Sequence, residues 1–352
     1  MKYFLVIGLG SMGKRRIRNL KSLGFKHILG FDKRADRRQE VKDAYSIDTY
    51  DDINVVLGNF KIDALIISVP PDIHHIYMKL ALNLKIPAFI EASVVDTDLD
   101  QIISESRQKD ILLAPSCTLS FHPAIKKIRE IVESKELGRI SNYLYHSGQY
   151  LPDWHNYENV SDYYVSVKET GGGREIVPFE LTWITLFLGI PKRVVGFYKK
   201  TIEIEGASNI DDTYNLLMDY ENNIFNLSVD VVSRHATRRL VINGDKKQLY
   251  WNWDENVIKI FDPEKAEWES LSYETAAAEN GYNKNITEQM YIDEIGSFVS
   301  AINKESIFPN NLEHDKSVLN LLYAVEKLDL NNTNIEKLKC SNNNIISITK
   351  SN

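Results

Sequence analysis

Residues 4–7 form an apolar run that flows without a break into Gly8-Leu9-Gly10-Ser11-Met12-Gly13. The first glycine of such a segment permits a tight turn out of a strand. The second lets backbone approach a pyrophosphate, and the third lets the next helix pack closely. The run therefore reads as a buried strand of a parallel sheet, followed by a helix opening near Ser11. The unpaired N–H groups and positive dipole end of that helix favour a diphosphate. Asp32 lies about 20 residues beyond Gly13, at the end of a second apolar run, where a carboxylate can hold ribose hydroxyls. The competing reading is an ordinary glycine turn in an α/β protein, but the flanking strand and Asp32 favour dinucleotide binding.

The next hundred residues repeat the pattern. Strand signals at residues 3–7, 27–31, 64–69, 88–90 and 111–113 alternate with helix signals at 11–23, 72–84 and 99–108. Such alternation implies an α/β fold with a doubly wound parallel sheet, the Rossmann arrangement, and a nucleotide at the carboxyl ends of its strands. Ser68, Val69 and Pro70 end one strand, ahead of the helix carrying His74. Glu91 and Ala92 end another, and Thr118 follows the last. These tips are expected to face the cofactor, together with the glycine segment, Asp32 and Lys33. Read blandly, the prolines only punctuate a helix start and Glu91 is solvated. Asp32 would repel a 2′-phosphate, which favours NAD. Lys33, Arg34, Arg37 and Arg38 could offset that charge, so NADP stays open.

After a helix over about 123–133 the pattern changes. Strand signals at 139–150, 193–205, 212–219, 224–232, 238–242, 247–253 and 257–261 follow one another with only one intervening helix, at 176–188. Consecutive strands imply a mostly antiparallel sheet in an α+β unit, closed by helices at 287–303 and 313–327. The expected division is a dinucleotide-binding domain over 1–122, a substrate-binding and oligomerisation domain over 123–328, and a polar tail over 329–352.

A formal net charge of −7 argues against a nucleic-acid partner, and no apolar stretch is long enough to cross a bilayer. Cys117 and Cys340 are the only cysteines; they cannot form a zinc quartet and point to a reducing, cytoplasmic setting. No metal site is expected.

Taken together, GLGSMG with Asp32, SVPPDIHH, FHPAIKKIREI and Thr170-Gly171-Gly172-Gly173 before an apolar helix resemble the glucose–fructose oxidoreductase / inositol dehydrogenase / MocA family. The resemblance spans roughly residues 1–328. It implies a Rossmann domain joined to a large open antiparallel sheet, and NAD(P)-dependent oxidation of a sugar, cyclitol or sugar-nucleotide hydroxyl. An open antiparallel sheet leaves a large face to cover, so a homodimer or homotetramer is expected, and the GGGREIVPFEL variant resembles members associated with surface-glycan synthesis. Two departures stand out. The family's Glu-Lys-Pro is here Glu91-Ala92-Ser93, so the usual catalytic lysine is absent. The usual aspartate and histidine of the later helix are replaced within GGGREIVPFELTW, where Val177 falls near the first and Glu180 near the second.

An alcohol–carbonyl interconversion needs a group that moves the hydroxyl proton. Glu180, His155 and Lys168 are the expected candidates, with His122 a further one. Glu180 is taken as inward-facing, ahead of Glu175, because Val177, Leu181 and Ile184 share its side of the helix. Tyr150, Trp154 and Tyr164 could line a sugar pocket around His155, or simply pin a loop. Lys168 could contact a substrate anion or be a solvated charge. Without the lysine, two other classes of function stay open: a glycosidase or lyase that recycles bound NAD, and a cofactor-binding regulator.

Overall fold

The computed structural model describes residues 2–154, 158–274 and 287–330. Its first half is a six-stranded parallel sheet built from β1 (Phe4–Ile7), β2 (Ile28–Phe31), β3 (Asp48–Tyr50), β4 (Ala64–Ile67), β5 (Ala88–Ile90) and β6 (Leu113–Pro115). Helices α1 (Ser11–Ser22), α2 (Ala35–Tyr45), α3 (Ile53–Asn59), α4 (His74–Leu84) and α5 (Leu99–Lys109) connect them. The strand order β3-β2-β1-β4-β5-β6 is the doubly wound one, reversing direction between β1 and β4. Phe4, Leu5, Val6 and Ile7 are all fully buried, as a central strand covered on both faces requires.

The second half opens with α6 (Pro123–Glu133) and β7 (Ile140–Tyr150), then α7 (Gly173–Leu188). Seven strands follow: β8 (Arg193–Lys199), β9 (Thr213–Asp219), β10 (Ile224–Asp230), β11 (Val232–Gly244), β12 (Gln248–Asn252), β13 (Val257–Asp262) and β14 (Glu267–Ser272). They form an eight-stranded sheet in the order β14-β13-β12-β11-β7-β10-β9-β8, antiparallel except where β10 runs parallel to β7. Helix α7 lies on one face, burying Val177, Leu181, Trp183 and Ile184 against it.

The chain ends with α8 (Glu288–Ile302) and α9 (Leu312–Leu330), which return to the first sheet. Phe298 and Phe308 meet Phe89 edge-on at 5.8 and 6.2 Å. Leu312 and Leu319 pack into the hydrophobic cluster on the sheet's other side. The two sheets are thereby held together around a cleft at the carboxyl ends of the parallel strands. No helix among the described residues is long and apolar enough to cross a membrane.

Several boundaries differ from the sequence reading for local reasons. Strand β8 stops at Lys199 instead of 205, because the N–H groups of Thr201 and Ile202 turn to the Asp212 carboxylate at 2.8 and 3.0 Å. Strand β6 begins at Leu113, since the Ile111 N–H is taken by the Ser106 carbonyl ending α5. Strands β3 and β14 were not expected; both are edge strands with little burial, so neither carries an apolar run. Helix α9 extends to Leu330, two residues into the segment assigned to the tail, and residues 331–352 lie outside the described part.

Candidate active site

The glycine turn shows why each glycine is there. Gly8 has φ +89°, and a Cβ on it would lie 2.5 Å from the Ser68 carbonyl oxygen. A Cβ on Gly13 would lie only 1.8 Å from the Gly8 carbonyl oxygen, so helix α1 can pack here only through glycine. Gly10 meets nothing closer than the Arg37 guanidinium at 3.4 Å and lines a cavity of about 1190 Å³. As the N-cap of α1, it has no side chain to satisfy the helix's first N–H groups. Gly10, Ser11 and Met12 face the cavity; Gly8 and Gly13 shape the turn behind it. Gly13→Ala is expected to weaken NADH affinity at least tenfold, about 1.4 kcal/mol, measured by tryptophan-to-NADH energy transfer.

Asp32 has a different immediate task from the one expected. Its Oδ2 accepts the Leu9 N–H at 2.8 Å and its Oδ1 the Arg34 N–H at 2.9 Å, tying the glycine turn to the end of β2. Leu9 is fully buried and spends its N–H on Asp32, so it supports the turn and does not line the cavity. Lys33 also points elsewhere, its ammonium donating to the Asp51 carbonyl at 2.7 Å. Arg34 and Arg37 do reach the cavity, and both pair with Glu158 from the second half, at 3.3 and 3.5 Å.

The strand tips converge as expected: Ser68, Val69, Pro70, His74, Glu91, Ala92 and Thr118 all line the cavity. Their side chains are held by one another. The His74 Nε2–H donates to the Val69 carbonyl at 2.9 Å, and burial lowers its pKa to about 4, so the ring is neutral. Both Glu91 oxygens accept from Arg16, at 2.7 and 2.9 Å, and Ser68 Oγ donates to Oε1 at 3.2 Å. Thr118 donates to Glu294 on α8 at 2.7 Å, beside Ser116 at 2.9 Å and the Cys117 N–H at 2.6 Å. Arg16, fully buried, spans the two carboxylates, with Nη1 2.9 Å from Glu294 Oε2. This Arg16–Glu91–Glu294 bridge had not been read from the sequence.

The second sheet supplies the opposite wall. Gln149, Tyr150, Trp154, Tyr163 and Tyr164 line it, with Tyr291 of α8. Strand β11 is bulged against β7: Val232 pairs with Tyr150, but the next pair is Thr237 with Gly148. The bulge turns Arg234, His235 and Ala236 toward the cavity, a usual effect of such an insertion beside a site. The Arg234 guanidinium stands 3.9 Å from the centre of the Tyr150 ring. Nothing in the alternation of VVSRHATRR marks this irregularity.

The candidate proton-transfer groups separate. Glu180 is inward, but toward the second sheet and not the cavity. Its carboxylate accepts from Ser147 Oγ at 2.7 Å, Tyr145 OH at 2.9 Å, Arg238 Nε at 2.9 Å and Trp183 Nε1 at 3.0 Å. So coordinated, it anchors the buried Arg238 beneath the second sheet and lies outside the cavity lining. Lys168 is 60% exposed, with its ammonium 3.9 Å from Asp211, outside the cavity lining. His122 caps α6, its Nδ1 accepting the Ala124 N–H at 3.2 Å, and burial takes its pKa down to about 3. His155 lies outside the described residues. Glu175 is the carboxyl group of α7 that does line the cavity, hydrogen-bonded by the Tyr164 hydroxyl at 2.6 Å.

Two family models match the chain. Residues 2–102 match an oxidoreductase family with an NAD-binding Rossmann fold, GFO/IDH/MocA, and residues 125–250 match the GFO/IDH/MocA C-terminal domain. Over 138 residues the chain is 27% identical to myo-inositol 2-dehydrogenase of Thermotoga maritima, a stretch covering 38% of this chain and 41% of that protein. An oxidoreductase from Agrobacterium radiobacter, solved with NAD⁺, L-tartaric acid and magnesium, superposes with a TM-score of 0.78 at 14% identity, over 94% of this chain and 96% of that one. A UDP-N-acetylglucosamine 3-dehydrogenase from Acidithiobacillus ferrooxidans superposes with a TM-score of 0.71 at 18% identity, over 93% and 98% of the respective chains.

Proposed function

The chain belongs to the GFO/IDH/MocA oxidoreductases, whose Rossmann domain binds NAD, and we propose that it interconverts a hydroxyl and a carbonyl on a sugar, sugar nucleotide or cyclitol. One observation carries this reading. A single cavity runs from the open face of Gly10, past the tips of β4, β5 and β6, to the aromatic wall of Tyr150, Trp154, Tyr163 and Tyr164.

The residues present suit a dinucleotide. The cradle at Gly10 carries no side chain of its own and has only the Arg37 guanidinium over it, and the first turn of α1 offers N–H groups to a diphosphate. Asp32, buried beside the glycine turn and outside the cavity lining, is fixed by two backbone donors and retains lone pairs that a ribose hydroxyl would take. When bound, the nicotinamide accepts or gives up a hydride. The protein's part is to hold the reacting carbon beside it and to manage the proton. Aromatic faces with Gln149 and the Arg234 guanidinium suit a polyhydroxylated ring. Names among the relatives, a myo-inositol and a UDP-N-acetylglucosamine dehydrogenase, support the same substrate class.

NAD is expected to bind about tenfold more tightly than NADP, about 1.4 kcal/mol. A 2′-phosphate would meet the Asp32 carboxylate, while Arg34 and Arg37 are already paired with Glu158. Titrating the protein with NADH and NADPH, followed by turnover against a panel of sugars, cyclitols and sugar nucleotides, tests the whole reading. Failure of both dinucleotides to bind at millimolar concentration would end it.

A further inference from the structure

We infer that Glu175 takes up and returns the proton of the substrate hydroxyl, with Tyr164 as the positioning residue that orients its carboxyl group. The inference rests on the oxidoreductase reading above and answers the question that reading leaves open, since Ala92 has no amine to offer.

Glu175 stands in the first turn of α7, at the cavity wall. Its Oε1 accepts the Tyr164 hydroxyl at 2.6 Å. Its Oε2 is shielded from solvent and has no hydrogen-bond partner among the described residues. A buried carboxyl oxygen left without a donor calls for an explanation, and a ligand hydroxyl is a direct one. The terminal torsion of a glutamate is soft, so a small rotation presents that oxygen to the cavity.

The neighbouring residue fixes where this happens. Arg174 Nη1 donates to the Val94 carbonyl at 2.7 Å, while its Nε donates to Glu326 at 2.7 Å. The first turn of α7 is thus clamped to the segment that follows Ala92. The Glu175 carboxyl group opens on the same cavity as Ala92, the position at which the family carries its lysine.

Nearby charges are committed elsewhere: Glu91 to Arg16, Arg174 to Glu326, Arg238 to Glu180, and Lys168 faces Asp211. Burial therefore dominates Glu175 and lifts its pKa to about 8, with the Tyr164 hydrogen bond pulling the other way. A carboxyl group poised there can act in either direction near neutral pH. In oxidation the substrate O–H bond breaks, its proton passing to Oε2 and its electron pair closing the C=O bond. The C–H pair leaves as hydride to the oxidised dinucleotide. In reduction each transfer reverses, and Glu175 supplies the proton.

Three full-length variants test this. Glu175→Gln keeps shape and the acceptor for Tyr164, and is expected to bind NADH like the parent while losing ~10²–10⁴-fold in turnover of whichever panel substrate reacts. Added formate is expected to restore part of the turnover of Glu175→Ala, which a purely structural role would not allow. Infrared spectroscopy needs no substrate: the parent should show a protonated carboxyl band that fades with a midpoint near pH 8, absent in Glu175→Gln and shifted to higher pH in Tyr164→Phe. Turnover of Glu175→Gln within threefold of the parent, or an unchanged infrared band, would overturn the inference. Loss of NADH binding by the parent itself would instead overturn the wider reading.

Discussion

Arg16→Ala is expected to lower unfolding stability by about 3–5 kcal/mol at pH 7, the range for stripping one partner from a buried ion pair. The guanidinium is fully buried, donates twice to Glu91 at 2.7 and 2.9 Å, and lies 2.9 Å from Glu294. It also sits 4.5 Å from the centre of the Phe89 ring. Removing it leaves two carboxylates facing each other in a poorly solvated space. Burial already raises the Glu294 pKa, and Arg16 is the cation that opposes this rise. Arg16→Lys should recover little, since a point charge cannot reproduce the planar fork that bridges both acids. The deficit should shrink as pH falls, because a protonated Glu294, whose pKa burial already raises, no longer needs the cation. Urea unfolding at pH 7 and pH 4.5 checks both statements, and a loss under about 1 kcal/mol at pH 7 would show that the bridge is dispensable. The same variant should bind NADH more weakly, because Glu91 and Glu294 hold the tips of β5 and β6 that line the cavity.

That bridge also marks the limit of what the sequence discloses. The demands of Gly8, Gly10 and Gly13 are local and steric, so the turn, the parallel sheet and a cavity at its strand tips could be read directly. The strand tips followed, because a doubly wound sheet brings its carboxyl ends together wherever the intervening helices lie. Arg16 is 75 residues from Glu91 and still further from Glu294. No spacing rule joins them, and α8 comes to the site from the far end of the chain, seated by Phe298 on Phe89 and by Glu288 against Arg15. The bulge at residues 233–236 was hidden for another reason. A strand that alternates normally on both sides gives no compositional sign of a few residues looped toward a cavity. Helix α7 was half legible. Apolar periodicity identified Val177, Leu181 and Ile184 as its inner face, and all three are fully buried. A helix wedged between a sheet and a cleft has two inward faces, however. The second, carrying Glu175, Ile176 and Phe179, mixes a charge with apolar groups and so resembles a surface.

The two glutamates of that helix should therefore respond to the same substitution with opposite signs. Glu180→Gln breaks the pair with buried Arg238 and gives four donors a weaker acceptor, so a loss of about 3 kcal/mol is expected at neutral pH. Glu175→Gln should stabilise the protein at alkaline pH. The Glu175 pKa rises from 4.5 to about 8 on folding. The folded chain thus keeps a proton that the unfolded chain has already released. This contribution to stability is complete below about pH 4.5 and drains away as pH rises through about 8. At about 1.36 kcal/mol per pH unit the whole shift sets a ceiling of about 5 kcal/mol. Relaxation of the surrounding chain on ionisation reduces the penalty, leaving an expected gain of about 2–4 kcal/mol for the neutral amide above pH 8. Near pH 4 the parent and Glu175→Gln should be equally stable, because neither carries a charge at that position. Guanidinium unfolding of parent and both variants at pH 4, 6, 8 and 9 separates the two roles. If Glu175→Gln is destabilised at pH 9 as Glu180→Gln is, then the Glu175 carboxylate is satisfied within the fold. Its second oxygen would then have no work to do in the cavity.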